Sequence, residues 1–275
     1  MLTDLRCFYS AADRVAVTGG TGFIGNAFIA QSEPGSFLPC KFEALPPNAI
    51  VLHLAAAVQN DRSAAAQNFA NDLWVIEEIR TKHAGLIYAS TNNVYPFGID
   101  CRIDAATRCN DYYSTSKVIA EKVVRDTVCK PYSIVRIADV FGAGQRHGNL
   151  FRAIEKSLVE RDALRKYGVG LKRRSYIYAP ELVAMLWYVV TSIRNDMPIP
   201  DCFNACYEDS ASVAEIIDQI SMLSGLPVKN VDHAGPEASW RDIRTMVAGP
   251  LHGYTYKWPG FRDALADYVN TLATK

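Results

Sequence analysis

The chain has 275 residues, 49% of them hydrophobic, with 29 basic and 29 acidic side chains. That length can bury a sizeable core as one large domain or two lobes. The zero formal net charge, with no like-charged block beyond "LKRR" at 171 to 174, offers a nucleic acid or an acidic membrane no electrostatic footing.

The first stretch, "MLTDLRCFYSAADR", has no apolar core behind a basic region, so no secretion signal is expected and the protein reads as soluble and cytoplasmic. "RVAVTGG" at 14 to 20 is an apolar run ending in glycines, and "TGFIGNAFIAQS" after it has helical apolar spacing: strand, tight turn, helix. "AIVLHLAAA" at 49 to 57 is a second buried strand, followed by the helix "NFANDLWVIEEIRTKH". "GLIYAST" at 85 to 91 is a third strand, about 112 to 128 a helix, and "YSIVRIADV" at 132 to 140 a fourth strand. Strands that are apolar almost throughout and alternate with helices imply a parallel sheet covered on both faces, an α/β fold of Rossmann type.

Beyond "VFGAGQRHGN" the sequence becomes charged and helical, "LFRAIEKSLVERDALRKYG", then strand-like at "RRSYIY". A helix at 180 to 194 contains "ELVAMLWYVVTSI", too short an apolar run to span a bilayer. "SASVAEIIDQISMLSG" opens on the capping-box pair Ser212 and Glu215 and closes on Gly225. The expected organisation is a nucleotide-binding domain over 1–145 plus about 176–205, and a smaller substrate lobe over about 146–175 plus 206–275. Seven scattered cysteines, with no C-x-x-C pair and no histidine cluster at ligand spacing, argue for free thiols in a reducing compartment and against disulfides or a metal site.

Glycines 19, 22 and 25 stand between a strand and a helix. Helix-start N–H groups point outward there with the positive end of the macrodipole, which suits a dinucleotide pyrophosphate. Gly19 permits the turn, Gly22 lets a ligand approach the backbone, and Gly25 lets the helix sit close on the sheet. Only "SFLPCKFEALPPN" separates this helix from the strand at 49, room for one short strand instead of two. Lys41 and Glu43 are the candidates for the adenosine side, and they point to opposite cofactors, so NAD and NADP both stay open.

"DYYSTSK" at 111 to 117 sets two tyrosines before a lysine. Positions four apart share a helix face, so Tyr113 pairs with Lys117 while Tyr112 stacks on Ser116, whose hydroxyl has no charge to stabilise a phenolate.

With "TGGTGFIG", "HLAA" at 53 to 56, "YASTNNVY" at 88 to 95, "YSTSK", "VRIADVFG" at 135 to 142, "GNL" at 148 to 150 and "RRSYIYAPELV" at 173 to 183 in this order, the chain resembles the extended short-chain dehydrogenase/reductase family, in particular its nucleotide-sugar epimerases, dehydratases and reductases. The resemblance implies an NAD(P)-dependent enzyme whose cofactor lies against Gly19, Gly22, Phe23, Ile24, Gly25, Leu54, Ala55, Ala56, Tyr113 and Lys117. Hydride transfer at an alcohol carbon needs a general acid/base at its oxygen. Tyr113 would be that group, its pKa lowered from near 10 by about 2 to 5 units through the Lys117 ammonium and an oxidised nicotinamide. Tyr112 would be packing or pocket wall. Thr91 would fix the substrate oxygen, with Ser90 as fallback.

Dehydratases of this kind carry Asp-Glu after the threonine, and here those positions are Asn92 and Asn93, amides that cannot exchange a proton at neutral pH. The epimerase/reductases that invert carbons beside a ketone usually have cysteine at the Asn93 position, and His147 lies two residues from the matching histidine position. What the resemblance leaves is a 4-epimerase or a keto-sugar reductase; a reductase of a non-sugar ketone and an NAD(P)-sensing regulator without turnover are the alternatives. On the substrate side it implies Thr91, Asn92, Asn149, Leu150, Arg174 and Arg241, the two arginines for a diphosphate. Asp139 replaces a common Asn, Asn68 is given a structural role, and the partners are a nucleotide-diphosphate sugar or other small molecule and a second copy, through helices at about 69 to 82 and 112 to 128.

Overall fold

The computed structural model describes residues 6–129, 131–145, 150–232, 243–249 and 251–273. Its elements are β1 (Arg6–Ser10), β2 (Val15–Thr18), α1 (Phe23–Ala30), β3 (Phe37–Lys41), β4 (Ile50–His53), α2 (Arg62–Lys82), β5 (Gly85–Thr91), β6 (Gly98–Cys101), α3 (Tyr112–Thr127), β7 (Tyr132–Ile137), β8 (Asp139–Phe141), α4 (Leu150–Glu160), β9 (Leu164–Tyr167), β10 (Arg173–Tyr178), α5 (Ala179–Arg194), β11 (Cys202–Ala205), β12 (Ser210–Ser212), α6 (Val213–Ser224), β13 (Val228–Val231), β14 (Ile243–Met246) and α7 (Phe261–Ala273).

Seven strands form the main sheet in the order β11-β7-β5-β4-β2-β1-β3. From β2 through β4, β5 and β7 to β11 every pairing is parallel. β2, β4 and β7 are buried along their whole length, as strands covered on both faces must be. α2 and α3 cover one face through Val75, Ile76, Ile79, Ala120 and Val124; Phe28 of α1 and Leu186 and Val190 of α5 belong to the core of the other. Phe28 and Trp187 stack with ring centroids 4.3 Å apart, joining α1 to α5.

The far side of β2 departs from the sequence expectation. The N-terminal stretch, read only for a signal, forms β1 and pairs antiparallel with β2. Ser10 makes the reversal, its hydroxyl donating to the Asp13 carboxylate and accepting the Asp13 N–H, and Arg14 takes the left-handed φ of 56° that completes the turn. The single strand expected after the first helix is β3, which lies outside β1 and antiparallel to it.

A second sheet runs β12-β10-β14-β6, with β8 added on β10. Phe141, Phe151, Tyr176, Phe261 and Tyr268 pack as an aromatic cluster against it. The helix expected over 150 to 168 stops at Glu160 and the chain continues as β9. Ser212, Glu215 and a left-handed Gly225 bound α6 as the sequence indicates.

Candidate active site

Gly19 has φ 71°, and a Cβ there would sit 2.8 Å from the Ala55 nitrogen; one on Gly25 would sit 2.3 Å from the Gly19 oxygen. Side chains are thus excluded at both points, and α1 starts at Gly22 with no side chain capping its first N–H groups. Those N–H groups face ligand or solvent. Gly19, Gly22, Phe23, Ile24, Gly25, Leu54, Ala55 and Ala56 together line a cleft of about 600 Å³, completed by Ala57, Val58, Gln59, Gln67, Asn71 and Gln145. The residues present fit a dinucleotide: a glycine cradle a Cβ would fill, free helix-start donors and an apolar wall. Asn68 pins the wall from behind, its amide exchanging hydrogen bonds of 2.7 and 2.8 Å with the Ala57 backbone.

Lys41 ends β3 and is exposed, two strands out from the glycine strand, and Glu43 follows in a short 3-10 helix where its backbone oxygen takes the Lys82 ammonium. Neither residue lines the cleft.

α3 carries the tyrosine and lysine. Asp111 and Ser114 form a reciprocal cap at its start, which fixes the helix register at the first turn. Tyr112 is 54% exposed, so its ring is not packed in the core, and its N–H donates to Asn60. Lys117 is buried on the sheet side, where its ammonium donates to the Tyr88 hydroxyl at 3.1 Å and lies 3.8 Å from the Asp72 carboxylate.

Asp72 and Tyr88 extend the site beyond its sequence reading. The Asp72 carboxylate accepts from the Tyr88 hydroxyl and pairs with His53 Nε2, both at 2.8 Å; His53 Nδ1 meets the Thr18 hydroxyl at 2.6 Å, and Thr18 accepts the N–H of Ala55 in the cleft wall. A continuous buried chain therefore links Lys117 to the cleft. Burial alone would raise Asp72, but Lys117, His53 and Tyr88 together hold its carboxyl below the ordinary value. The expectation for Tyr113 includes the charge of an oxidised nicotinamide; in the chain by itself the direction is upward. Burial first, then the Asp72 and Asp111 carboxylates, push its phenol up to about 12. That expectation counted the Lys117 ammonium together with the nicotinamide, and neither the burial of the phenol nor the carboxylate behind the lysine shows in local spacing.

Thr91 ends β5 and spends its hydroxyl locally, accepting the Asn93 N–H at 3.2 Å and donating to the Asn92 side chain at 3.3 Å. Ser90 donates to Glu121 inside a buried Glu121–Arg136–Tyr95 network. Asn92 is buried and donates to Asp139 at 3.0 Å. Arg174 lies in register with Arg244 across β10 and β14, and both are buried. The Arg244 guanidinium donates to the Asn93 side-chain oxygen, stacks 4.5 Å over the Phe97 ring and keeps a buried Nε without a hydrogen-bond partner. Burial and then Arg174 lower its affinity for its own proton, against the opposing charges of Asp139 and Asp111. Leu150 stands apart, on a separate cleft with Ala153, Ile154 and Ser157. His147, Asn149 and Arg241 lie outside the described residues.

A model of the NAD dependent epimerase/dehydratase family matches residues 42–206, more than half of the chain. The chain belongs to this family. It is accordingly an enzyme of the extended short-chain dehydrogenase/reductase type. Among curated proteins, none matches it by sequence. Among solved structures, this epimerase/dehydratase resembles UDP-N-acetylglucosamine 4-epimerase from Methanobrevibacter ruminantium M1 in complex with UDP-N-acetylmuramic acid, at 17% identity and a TM-score of 0.74 over 94% of this chain and 97% of that one. RMD from Pseudomonas aeruginosa, complexed with NADPH, is similar at 14% identity and a TM-score of 0.75, over 94% and 98% of the two chains. A dTDP-glucose 4,6-dehydratase from Bacillus anthracis str. Ames, in complex with NAD, is similar at 17% identity and a TM-score of 0.73, over 93% and 94%. At these identities the likeness is one of fold.

Proposed function

We propose that this family member transfers hydride at a sugar carbon of a nucleotide-diphosphate sugar, as a 4-epimerase or a keto-sugar reductase, with Tyr113 as the proton carrier. The observation that carries the reading is the buried Arg174–Arg244 pair beside Asn92 and Asn93. Two buried arginines in register on neighbouring strands suit a diphosphate, and the amides beside Thr91 supply no second acid/base for an elimination. The similar structures solved with UDP-N-acetylmuramic acid, NADPH and NAD agree with the substrate class and leave the cofactor as NAD or NADP.

Bound in the glycine cleft, the nicotinamide dinucleotide would supply the hydride donor or acceptor. The chain's own work is the proton. Tyr113 gives or takes it at the substrate oxygen, Lys117 sets the charge beside the phenol, and Thr91 fixes the oxygen once substrate replaces its local partners. Half-exposed Phe69 and Leu73 on α2 and Ile119 on α3 support a homodimer through these two helices.

The test is a ligand-dependent melting screen with UDP-, dTDP- and GDP-sugars, followed by turnover of the stabilising sugar, or of its 4-keto form with NADPH, in Tyr113→Phe. The expected outcome is a loss of about 10²- to 10⁴-fold in turnover with cofactor affinity kept. Unchanged turnover removes Tyr113 from the chemistry, and stabilisation by none of the sugars removes the substrate class.

A further inference from the structure

Cys7 and Cys40 stand 33 positions apart in the sequence. The antiparallel pairing of β1 with β3 sets them directly opposite each other, so both side chains leave the sheet on one face. Opposed residues of antiparallel strands have Cα atoms about 4.5 or 5.5 Å apart, within the roughly 4.4 to 6.8 Å that a disulfide spans. The side chains converge as well: Sγ of Cys7 lies 2.9 Å from Sγ of Cys40 and donates to the Cys40 carbonyl at 3.5 Å. The two sulfurs differ in access. β1 is flanked by β2 and β3, and Cys7 is fully buried in the cluster that holds Ala16, Phe42 and Val51. β3 ends the sheet, with exposed Leu38 and Pro39 beside a half-buried Cys40.

We propose that Cys7 and Cys40 are a redox modification site: a low-molecular-weight disulfide oxidises them to a cross-strand disulfide, which closes residues 7–40 into a covalent loop around the glycine turn. That segment holds β2, Gly19, Gly22, Gly25 and all of α1, so the bond staples the unit that frames the cleft. Cys40, reached from the sheet edge, reacts first. Its thiolate attacks one sulfur of the small disulfide, forming a mixed disulfide and releasing one small thiolate. Cys7 then gives its proton to solvent, its sulfur attacks Sγ of Cys40, and the second small thiolate leaves. Two protein thiols are oxidised and one small disulfide is reduced to two thiols, so the exchange needs no further reactant. Burial pushes the Cys7 thiol up, which keeps Cys7 from starting the exchange, and its contact with Cys40 supplies the sulfur it attacks. In a reducing compartment such a bond is transient and follows the thiol pool.

The test treats the whole wild-type chain with glutathione disulfide, with and without later dithiothreitol, then alkylates and digests it for mass spectrometry. The expected product is a Cys7–Cys40 cross-linked peptide, two hydrogens lighter than the two reduced peptides together, which dithiothreitol removes. The oxidised chain should melt about 5 °C or more above the reduced one, because the bond closes a long loop in the unfolded state. Cys40→Ser should lose both the peptide and the shift. The order of attack is read in two variants: Cys7→Ala should trap glutathione on Cys40, and Cys40→Ser should leave Cys7 unmodified. If Cys7→Ala does not fold, the wild-type chain quenched at short times gives the same reading, with the mixed disulfide on Cys40 before the cross-link. Oxidised wild-type chain without the Cys7–Cys40 peptide, or with either cysteine joined to a different one, overturns the proposal. Equal melting temperatures of the cross-linked and reduced chains overturn the staple, and glutathione on Cys7 in Cys40→Ser overturns the order.

Discussion

Arg241 and Arg244 lie three residues apart in "SWRDIR", and both are plausible phosphate ligands by residue type. Arg241 lies outside the described residues; for Arg244, the pairing of β14 with β10 sets it opposite Arg174 from 70 residues away. Replacing Arg244 by Gln should therefore weaken a UDP-sugar by about 1.5 to 3 kcal/mol, the range for a hydrogen bond to a charged group, with NAD and NADPH binding unaffected. Calorimetric titration of the two ligands separately makes the comparison, and a parallel loss of cofactor affinity would place the arginine elsewhere. Asp72 was hidden from the sequence for a related reason. Its helix mixes polar and apolar positions without a clear face, and only the packing of α2 beside α3 shows that one of its polar positions faces inward to Lys117. Local spacing could name Tyr113 and Lys117, four apart on one helix. It could not name what stands behind them.

At the scale of elements, the glycine turn was readable because its demands are local: three glycines, an apolar strand before, a helix after. Gly25 shows how tight the fit is, since a methyl group there would meet the Gly19 oxygen and the Gly20 Cα. Gly25→Ala should fold with its sheet intact, because the clash lies at one loop, and should bind NAD and NADPH at least about 10-fold more weakly as α1 is pushed off the turn. Dye-displacement or fluorescence titration with far-UV circular dichroism as the folding control decides it; native affinity would mean the turn is not the pyrophosphate site. The neighbouring strand was unreadable for the opposite reason. "RCFYS" is short and carries no alternation, and nothing within it says that it reverses onto β2 and occupies the place beside the glycine strand. The family match starts at residue 42, after this rebuilt corner. With β1 antiparallel, the strand beside the glycine turn presents its N-terminal end there, so among the described residues no strand C-terminal end stands in that place to carry the usual carboxylate for the adenosine ribose.

Across the whole molecule, two buried polar networks lie between the main sheet and the α2–α3 layer. One is His53–Asp72–Tyr88–Lys117; the other joins Glu121 of α3 to Arg136 of β7 at 2.7 Å, with Ser90 and Tyr95 attached. In both, burial opposes the charged carboxylate and its partners overcome that, so Asp72 and Glu121 are held below their ordinary values. The unfolded chain then binds more protons than the folded one near pH 4. Their stabilising contribution is complete above the unfolded carboxylate values of about 4 and is lost as pH falls through the lower folded values. Urea midpoints measured from pH 7 downward should accordingly stay level to about pH 5 and fall below about 4. Glu121→Gln separates this effect from general acid expansion. It leaves Arg136 buried without its counter-ion, so stability at pH 7 should drop by about 3 to 5 kcal/mol, while the acid limb becomes shallower because one of the two buried carboxylates that titrate there is gone. An acid limb of unchanged slope would mean that the native-state carboxylates lie elsewhere, and that the layer between sheet and helices is held by its apolar contacts alone.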